Sequence, residues 1–470
     1  MKTRYLKIIL PVLLAAMQSC RVSQDVKLPD MHLPESYRTA SEGDTTVIAK
    51  LPWRSFFSDP ELQSLIDSAV SRNYDLGLAL KNLEIARLNF IQSKQGNLPE
   101  AGLAISASSN RPSNNSLNGL TYGQFLGTKH VEDYTAAVDI SWEADIWGKI
   151  RSRKEASLAD YLQSEEARKT LQTKIVSMVS QNYYQLLMLD TQLEIARKNL
   201  ALSDNTLKMI RLQYDAGQVT AMAIQQAEAQ RLTAAALIPR FEQEISITEN
   251  SLSVLCGKLP EAISRQQTLD KVNRQENLSA GVPLELLSIR PDVRAAEIGV
   301  DRANAEVGYS KARMYPSLTI TAEGGLNAFR ASNWFRLPAS LFGAVAGGIT
   351  QPVFQRKALR TRYEISKAER EKSIIQFRQQ VLTAVQEVSD ALIRIRKLDR
   401  QQDVLREKVT SLRLATANAN LLFKNGKATY LEVIIAQSGV LQSELDLAGI
   451  EKAGLDARID LYRSVGGGWH

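Results

Sequence analysis

The sequence predicts a mostly α-helical chain with a small membrane β-barrel, its helices paired into long coiled-coil hairpins. Three observations carry this. Two stretches, Lys149–Ala216 and Val353–Asn425, contain no glycine and no proline. The second stretch is a copy of the first, shifted by 209 residues. Four other segments alternate apolar and polar residues as strands do.

Glycine and proline are the strongest helix breakers, so their absence predicts one unbroken helix over each long stretch. At ~1.5 Å per residue these helices reach roughly 100 and 110 Å. The copy is specific. Arg151-Ser-Arg153 falls on Arg360-Thr-Arg362, Leu189-Asp190 on Leu398-Asp399, and Gly217 and Thr220 on Gly426 and Thr429. The register holds without a gap to Leu252 on Leu461 and Gly257 on Gly466. Such self-similarity marks a repeat architecture.

Taken in order, Asp59-Pro60 is a helix start, and Leu62, Leu65, Ile66 and Ala69 form its apolar stripe. Asn73–Gln95 is a second helix, stopped by Gly96 and Pro99. Leu103, Ile105 and Ala107 begin the strand pattern, and Tyr134, Ala136, Val138, Ile140 and Trp142 continue it after a loop. The long helix from Lys149 turns at Gly217 and returns from Thr220 to Leu255, with Pro239 expected to kink the return. The second half repeats this order. It has a helix over Pro291–Met314, a strand with Leu318, Ile320 and Ala322 on one face, and a fourth strand marked by Leu341, Val345 and Ile349. Its long helix turns at Asn425-Gly426, and Thr429–Tyr462 returns. Leu186, Leu193, Leu200, Leu207 and Tyr214, beside Leu189, Ala196, Ser203 and Ile210, form a seven-residue repeat, matched by Ala391, Leu398, Leu405, Leu412 and Ala419. That period implies left-handed coiled-coil packing near the turns.

Four strands cannot close a membrane barrel, and open edges cannot face lipid, so the chain is expected to oligomerise. Three chains would supply twelve strands, with Asp139, Glu143 and Glu323 pointing into a wet, acidic lumen.

The first nineteen residues carry Lys2, Arg4 and Lys7 and no acid, followed by the short apolar run Ile8–Met17. This reads as an export signal (1–19), too short to span a bilayer. Ala16-Met-Gln-Ser19-Cys20 resembles a bacterial lipoprotein cleavage site, with Met17 where leucine is usual, and marks Cys20 for lipidation with palmitate. Residues 20–51 then form a lipid-anchored tether, 52–257 the first repeat, 258–282 an equatorial linker, 283–466 the second repeat and 467–470 a tail. The formal charge is +7, and removing the three signal-peptide charges leaves about +4, which does not point to nucleic acid. The only histidines are His32, His130 and His470, and Cys256 is the one cysteine besides Cys20. No phosphate-loop, zinc-ligand or nucleophile-elbow spacing is present, so no catalytic or metal residues and no cofactor are expected.

These motifs converge on a known family. They are Trp53…Phe57-Ser-Asp59-Pro60, Asp145-Ile-Trp147-Gly148-Lys-Ile-Arg151, Arg290-Pro291-Asp292 and Gly426-Lys-Ala-Thr429-Tyr-Leu431-Glu432. The chain resembles the TolC-like outer-membrane efflux proteins, nearest to their OprM/NodT-like lipoprotein branch. The resemblance implies a homotrimer with a 12-stranded barrel in the outer membrane and an α-barrel across the periplasm. It implies docking to a periplasmic adaptor (membrane fusion) protein and to an inner-membrane, proton-driven transporter, for export of small molecules. The turn residues Gly217, Val219, Thr220, Gly426, Ala428 and Thr429 are then the adaptor-docking tips, with Val219 and Ala428 exposed there. Asn418 and Asn420 stand where family members often carry gate aspartates. Gln351-Pro352-Val353-Phe354-Gln-Arg-Lys departs from the family by lacking the usual glycines. A conduit for type I protein secretion and a periplasmic coiled-coil scaffold are the alternatives.

Overall fold

The computed structural model describes Tyr37, Ile48 and residues 51–273 and 286–469. The export signal, Cys20, most of the expected tether and the end of the expected linker lie outside the described residues.

Helix α1 (Pro60–Arg72) begins where Asp59 caps it. The Asp59 carboxylate accepts from the backbone N–H groups of Glu61 at 2.9 Å and Leu62 at 3.4 Å, satisfying donors a helix start leaves unpaired. Its stripe of Leu62, Ile66 and Ala69 is buried. Asn73 divides α1 from α2 (Tyr74–Lys94), and its side-chain oxygen accepts from the Leu76 N–H at 3.1 Å.

The two long helices are α3 (Lys149–Asp215) and α6 (Ala358–Lys424), each of 67 residues. Each is followed by a 35-residue return helix, α4 (Ala221–Leu255) and α7 (Tyr430–Ser464). All four boundaries keep the 209-residue register. All four helices end alike, with a glycine at positive φ: Gly217 (73°), Gly257 (68°), Gly426 (68°) and Gly466 (94°). Around Gly217 the N–H of Gly217 donates to Tyr214 O and that of Gln218 to Gln213 O, both at 2.8 Å; Gly426 and Lys427 do the same to Phe423 and Leu422. This double bond pattern is the Schellman closure, and it explains why glycine recurs at these points. Helix α4 runs through Pro239.

One expectation fails at the start of α6. The helix does not begin at Val353 but at Ala358. Arg356 and Lys357 sit at φ 50° and 64°, in the left-handed region. Absence of glycine therefore did not mean continuous helix here. Two ordinary L-residues adopt the conformation that glycine supplies elsewhere; at the 209-residue shift Lys357 falls on Gly148, which sits at φ 74° before α3.

The chain packs as two compact units, one formed by residues 84–162 and 298–375, the other by the remaining described residues. Each unit takes material from both sequence repeats. The first holds α5 (Pro291–Ala312) from Ile298 onward and one antiparallel sheet of β1 (Glu100–Asn110), β2 (Val131–Ala144), β3 (Ser317–Ala328) and β4 (Leu341–Thr350), in the order β1-β2-β3-β4. Leu103 pairs with Val138, Ile140 with Ala322, Trp142 with Ile320 and Ala322 with Val345, so the apolar residues share one face. Most of that face is solvent-exposed in the single chain. Strands β1 and β4 have one edge each without a partner strand.

In the second unit the core gathers Trp53, Phe57, Leu62, Ile66, Val179, Tyr183, Leu186, Leu252, Leu269 and Tyr462. The first heptad seam is buried as expected at Leu186, Leu189, Leu193, Ala196, Ser203, Leu207 and Ile210, while Leu200 is half-buried and Tyr214 is exposed. In the twin helix Ala391 is buried, but below it the fully buried row is Gln402, Val409, Thr416 and Phe423, one turn beyond the expected Leu398, Leu405, Leu412 and Ala419.

Candidate functional site: strand face, helix junctions and hairpin tips

The strand register places the three expected lumen acids on one face. Asp139 on β2 lies directly opposite Glu323 on β3, with Ser141 opposite Thr321 and Glu143 opposite Thr319. Asp139 and Glu323 are exposed. Glu143 differs: Lys149 Nζ donates to its two oxygens at 2.5 and 2.6 Å, so its charge is neutralised at the base of the sheet. Nearby, the Asp145 carboxylate accepts from the N–H groups of Ile150 at 3.0 Å and Arg151 at 2.9 Å, capping α3. Trp147 Nε1 donates to Pro316 O at 2.7 Å and its ring stacks on Tyr315. The Asp145-Ile-Trp-Gly-Lys motif is thus the joint that turns a strand into a long helix.

A second set of functional groups, which sequence reasoning left unassigned, joins the helices end to end. Asn73 Nδ2 donates to the last carbonyl of α4, Leu255 O, at 3.0 Å. Arg290 Nη1 donates to the last carbonyl of α7, Ser464 O, at 2.8 Å. Arg290 is buried, forks onto Asp292 and pairs with Glu387 at 2.9 Å. Burial works against the Arg290 cation, but Asp292 and Glu387 raise its pKa above the ordinary value. Burial alone would raise the Asp292 carboxyl too. Arg290, with the Val293 N–H and Gln380, instead holds it below the ordinary range. The Arg-Pro-Asp motif was visible, but its partners Glu387 and Ser464 are distant in sequence. A third joint is Arg265, which bridges Asp190 and, at 2.6 Å, Glu249. It ties the linker onto α3 and α4.

At the tips, Thr220 and Thr429 take the extended cap position before α4 and α7. The Glu432 carboxylate accepts from the Thr429 N–H at 3.1 Å. Val219 and Ala428 are not free at the tip as expected. They are half-buried against a cluster of Leu207, Ile210, Ala223, Ala227, Phe423 and Val433, drawn from both hairpins. The closing turn folds these small apolar residues inward, which leaves Gly217 and Gly426 as the open surface; a Cβ added at either would meet nothing within 4 Å. Asn418 is exposed and Asn420 half-exposed on α6. Two residues apart on a helix they point about 200° apart, so they cannot both face one axis. Since Thr416 and Phe423 turn inward, Asn418 is the one left facing away from the packed seam. Among the described residues no group of histidine, cysteine, aspartate and glutamate side chains is arranged to hold a metal ion, and no helix is long and apolar enough to cross a membrane.

An open sheet with an exposed apolar face, joined to paired hairpins of this length, is the subunit fold of TolC-like outer-membrane channels, which unite a β-barrel and an α-barrel as trimers. The family model described as "Outer membrane efflux protein" matches residues 65–258 and 282–467, and the chain belongs to that family. Among curated relatives, the cation efflux system protein CusC of Escherichia coli is 26% identical over 461 residues, covering 97% of both chains. The probable efflux pump outer membrane protein SepC of Pseudomonas putida is 28% identical over 481 residues, covering 100% of this chain and 98% of that one. Among solved structures, the outer-membrane channel OprN superposes with a TM-score of 0.87 at 25% identity, covering 96% of this chain and 100% of that one. This protein is an efflux channel of the outer membrane.

Proposed function

We propose that this chain is one third of a homotrimeric conduit that carries small molecules handed to it by an inner-membrane transporter through a periplasmic adaptor. The observation that carries this is the open sheet, with unpartnered edges on β1 and β4 and an exposed apolar face. In lipid such edges must be paired, and three copies supply a closed twelve-stranded barrel. Lipid-modified Cys20 anchors the assembly to the same membrane.

The adaptor meets the hairpin tips at Gly217 and Gly426, beside Thr220 and Thr429. Val219 and Ala428 support that surface from beneath. The periplasmic mouth is ringed by Asn418 amides, and it opens when adaptor binding separates the hairpins along a polar seam in which Gln437 Nε2 donates to Thr206 Oγ1 at 2.8 Å. The transporter is proton-driven, and this chain performs no chemistry on the cargo. Asp139 and Glu323 make the upper lumen favour cations.

The test is efflux in cells lacking their own outer-membrane channel. Gly426→Trp should leave trimers in the membrane and abolish dye efflux and adaptor cross-linking together. Normal cross-linking to the adaptor in that variant would reject docking at the tips.

A further inference from the structure

Just past the free edge of β4 lies an apolar pair with nothing over it. Val353 is 92% exposed and Phe354 84% exposed. They are followed by Arg356 and Lys357, held at φ 50° and 64°. Neither cation makes an ion pair among the described residues. The left-handed pair marks the turn by which the chain enters α6.

The other free edge has a matching surface. Just before β1, Leu98 is 58% exposed, and Ile91 and Leu88 are exposed in the last two turns of α2. Glu100, the first residue of β1, is exposed, and its carboxylate makes no ion pair among the described residues. β1 and β4 run in opposite directions, because each strand of the sheet is antiparallel to the next. If β4 of one copy pairs with β1 of the next, the end of β4 (Thr350) and the start of β1 (Glu100) lie at the same rim. Paired strands are ~4.8 Å apart, so the segments just beyond that rim are brought side by side.

We propose that Val353 and Phe354 of one copy seat against Leu98 and Ile91 of the neighbouring copy, and that Arg356 and Lys357 lie beside the neighbour's Glu100. This contact is a peg at the foot of each barrel seam. It rests on the trimer reading above. Continuity with the open β4 edge and opposite charges on the two sides select a second copy of the chain as occupant rather than lipid.

The experiment uses the full-length, detergent-extracted protein carrying Leu98→Cys and Phe354→Cys together, treated with a short bismaleimide. Cys256 is fully buried and stays silent, and the unsubstituted parent sets the background. Covalent dimers and trimers on a denaturing gel are expected, because only links between chains add a chain's mass. Intact trimers by native mass measurement with no such links, in this variant and in Leu98→Cys with Val353→Cys, would overturn the contact and leave the trimer standing. A monomeric parent would overturn both. In the independent variant Val353→Ser with Phe354→Ser, trimers should dissociate at a lower temperature; an unchanged dissociation temperature counts against the peg.

Discussion

Asn73 and Arg290 hold the same post in the two halves of the chain. Each precedes a helix that leads into a strand, α2 or α5, and each donates to the final carbonyl of the return helix stacked behind it, Leu255 or Ser464. The joint is conserved in geometry while its chemistry has changed from a neutral amide to a buried guanidinium with two carboxylate partners. The arginine joint is the more demanding, because its charges are satisfied only together.

Replacing Arg290 with methionine is therefore expected to destabilise the protein by about 2–3 kcal/mol, below the range for a fully buried pair, since it leaves the half-buried Asp292 and Glu387 without their cation. Asn73→Ala should cost only about 1–2 kcal/mol, the value of a lost cap and one hydrogen bond. Thermal unfolding of the extracted trimer measures both, and the arginine variant should melt lower.

Acid should act through the same joint. Because the folded Asp292 carboxyl titrates below its ordinary value, its stabilisation is complete above the usual carboxylate pKa of about 3.9 and is lost as pH falls through the lower folded value. Melting temperature should be insensitive to this group at neutral pH and fall below about pH 4. Asp292→Asn should be less stable at pH 7 and show a shallower acid limb.

The turn before α6 offers the opposite kind of variant. Arg356 and Lys357 occupy left-handed backbone, which disfavours an L-residue by roughly 1–2 kcal/mol. Glycine removes that strain but loses about 0.5–1 kcal/mol to its greater freedom when unfolded. Arg356→Gly or Lys357→Gly should hold or raise the melting temperature of the isolated subunit, whereas Gly426→Val, at φ 68°, should lower it.

Channel selectivity should follow the strand register. Asp139 and Glu323 face each other on adjacent strands, six carboxylates at one level of a trimer. Asp139→Asn with Glu323→Gln should shift the reversal potential in a salt gradient toward weaker cation preference. Glu143→Gln should shift it much less, because Lys149 already balances that charge.

Periodic features were legible in the sequence. The helix pair, the strand faces and the turn glycines follow from spacing, because helices and strands impose fixed periods on what they bury. Asp139, Glu143 and Glu323 fell on one face for that reason. Features that depend on distant partners were not legible. Nothing near Arg290 announces Glu387 or Ser464, and nothing near Asn73 announces Leu255. The turn before α6 was misread because backbone conformation at Arg356 and Lys357 contradicts their residue type. The tips were half legible: the glycines stood out, but the inward packing of Val219 and Ala428 depends on Ile210 and Ala223 of the first hairpin meeting Phe423 and Val433 of the second.

The two halves keep step at 209 residues through the long hairpins but at 217 at the Asn73–Arg290 joints and at the starts of β1 and β3. The discrepancy resides in the segments that link each strand pair, residues 111–130 against 329–340. Helical columns whose teeth mesh every seven residues tolerate no added length, whereas a connector at the free end of a sheet does. An engineer wishing to insert an affinity peptide or a fluorophore carrier should begin in residues 111–130, where the molecule has already accommodated eight extra residues without disturbing its gears.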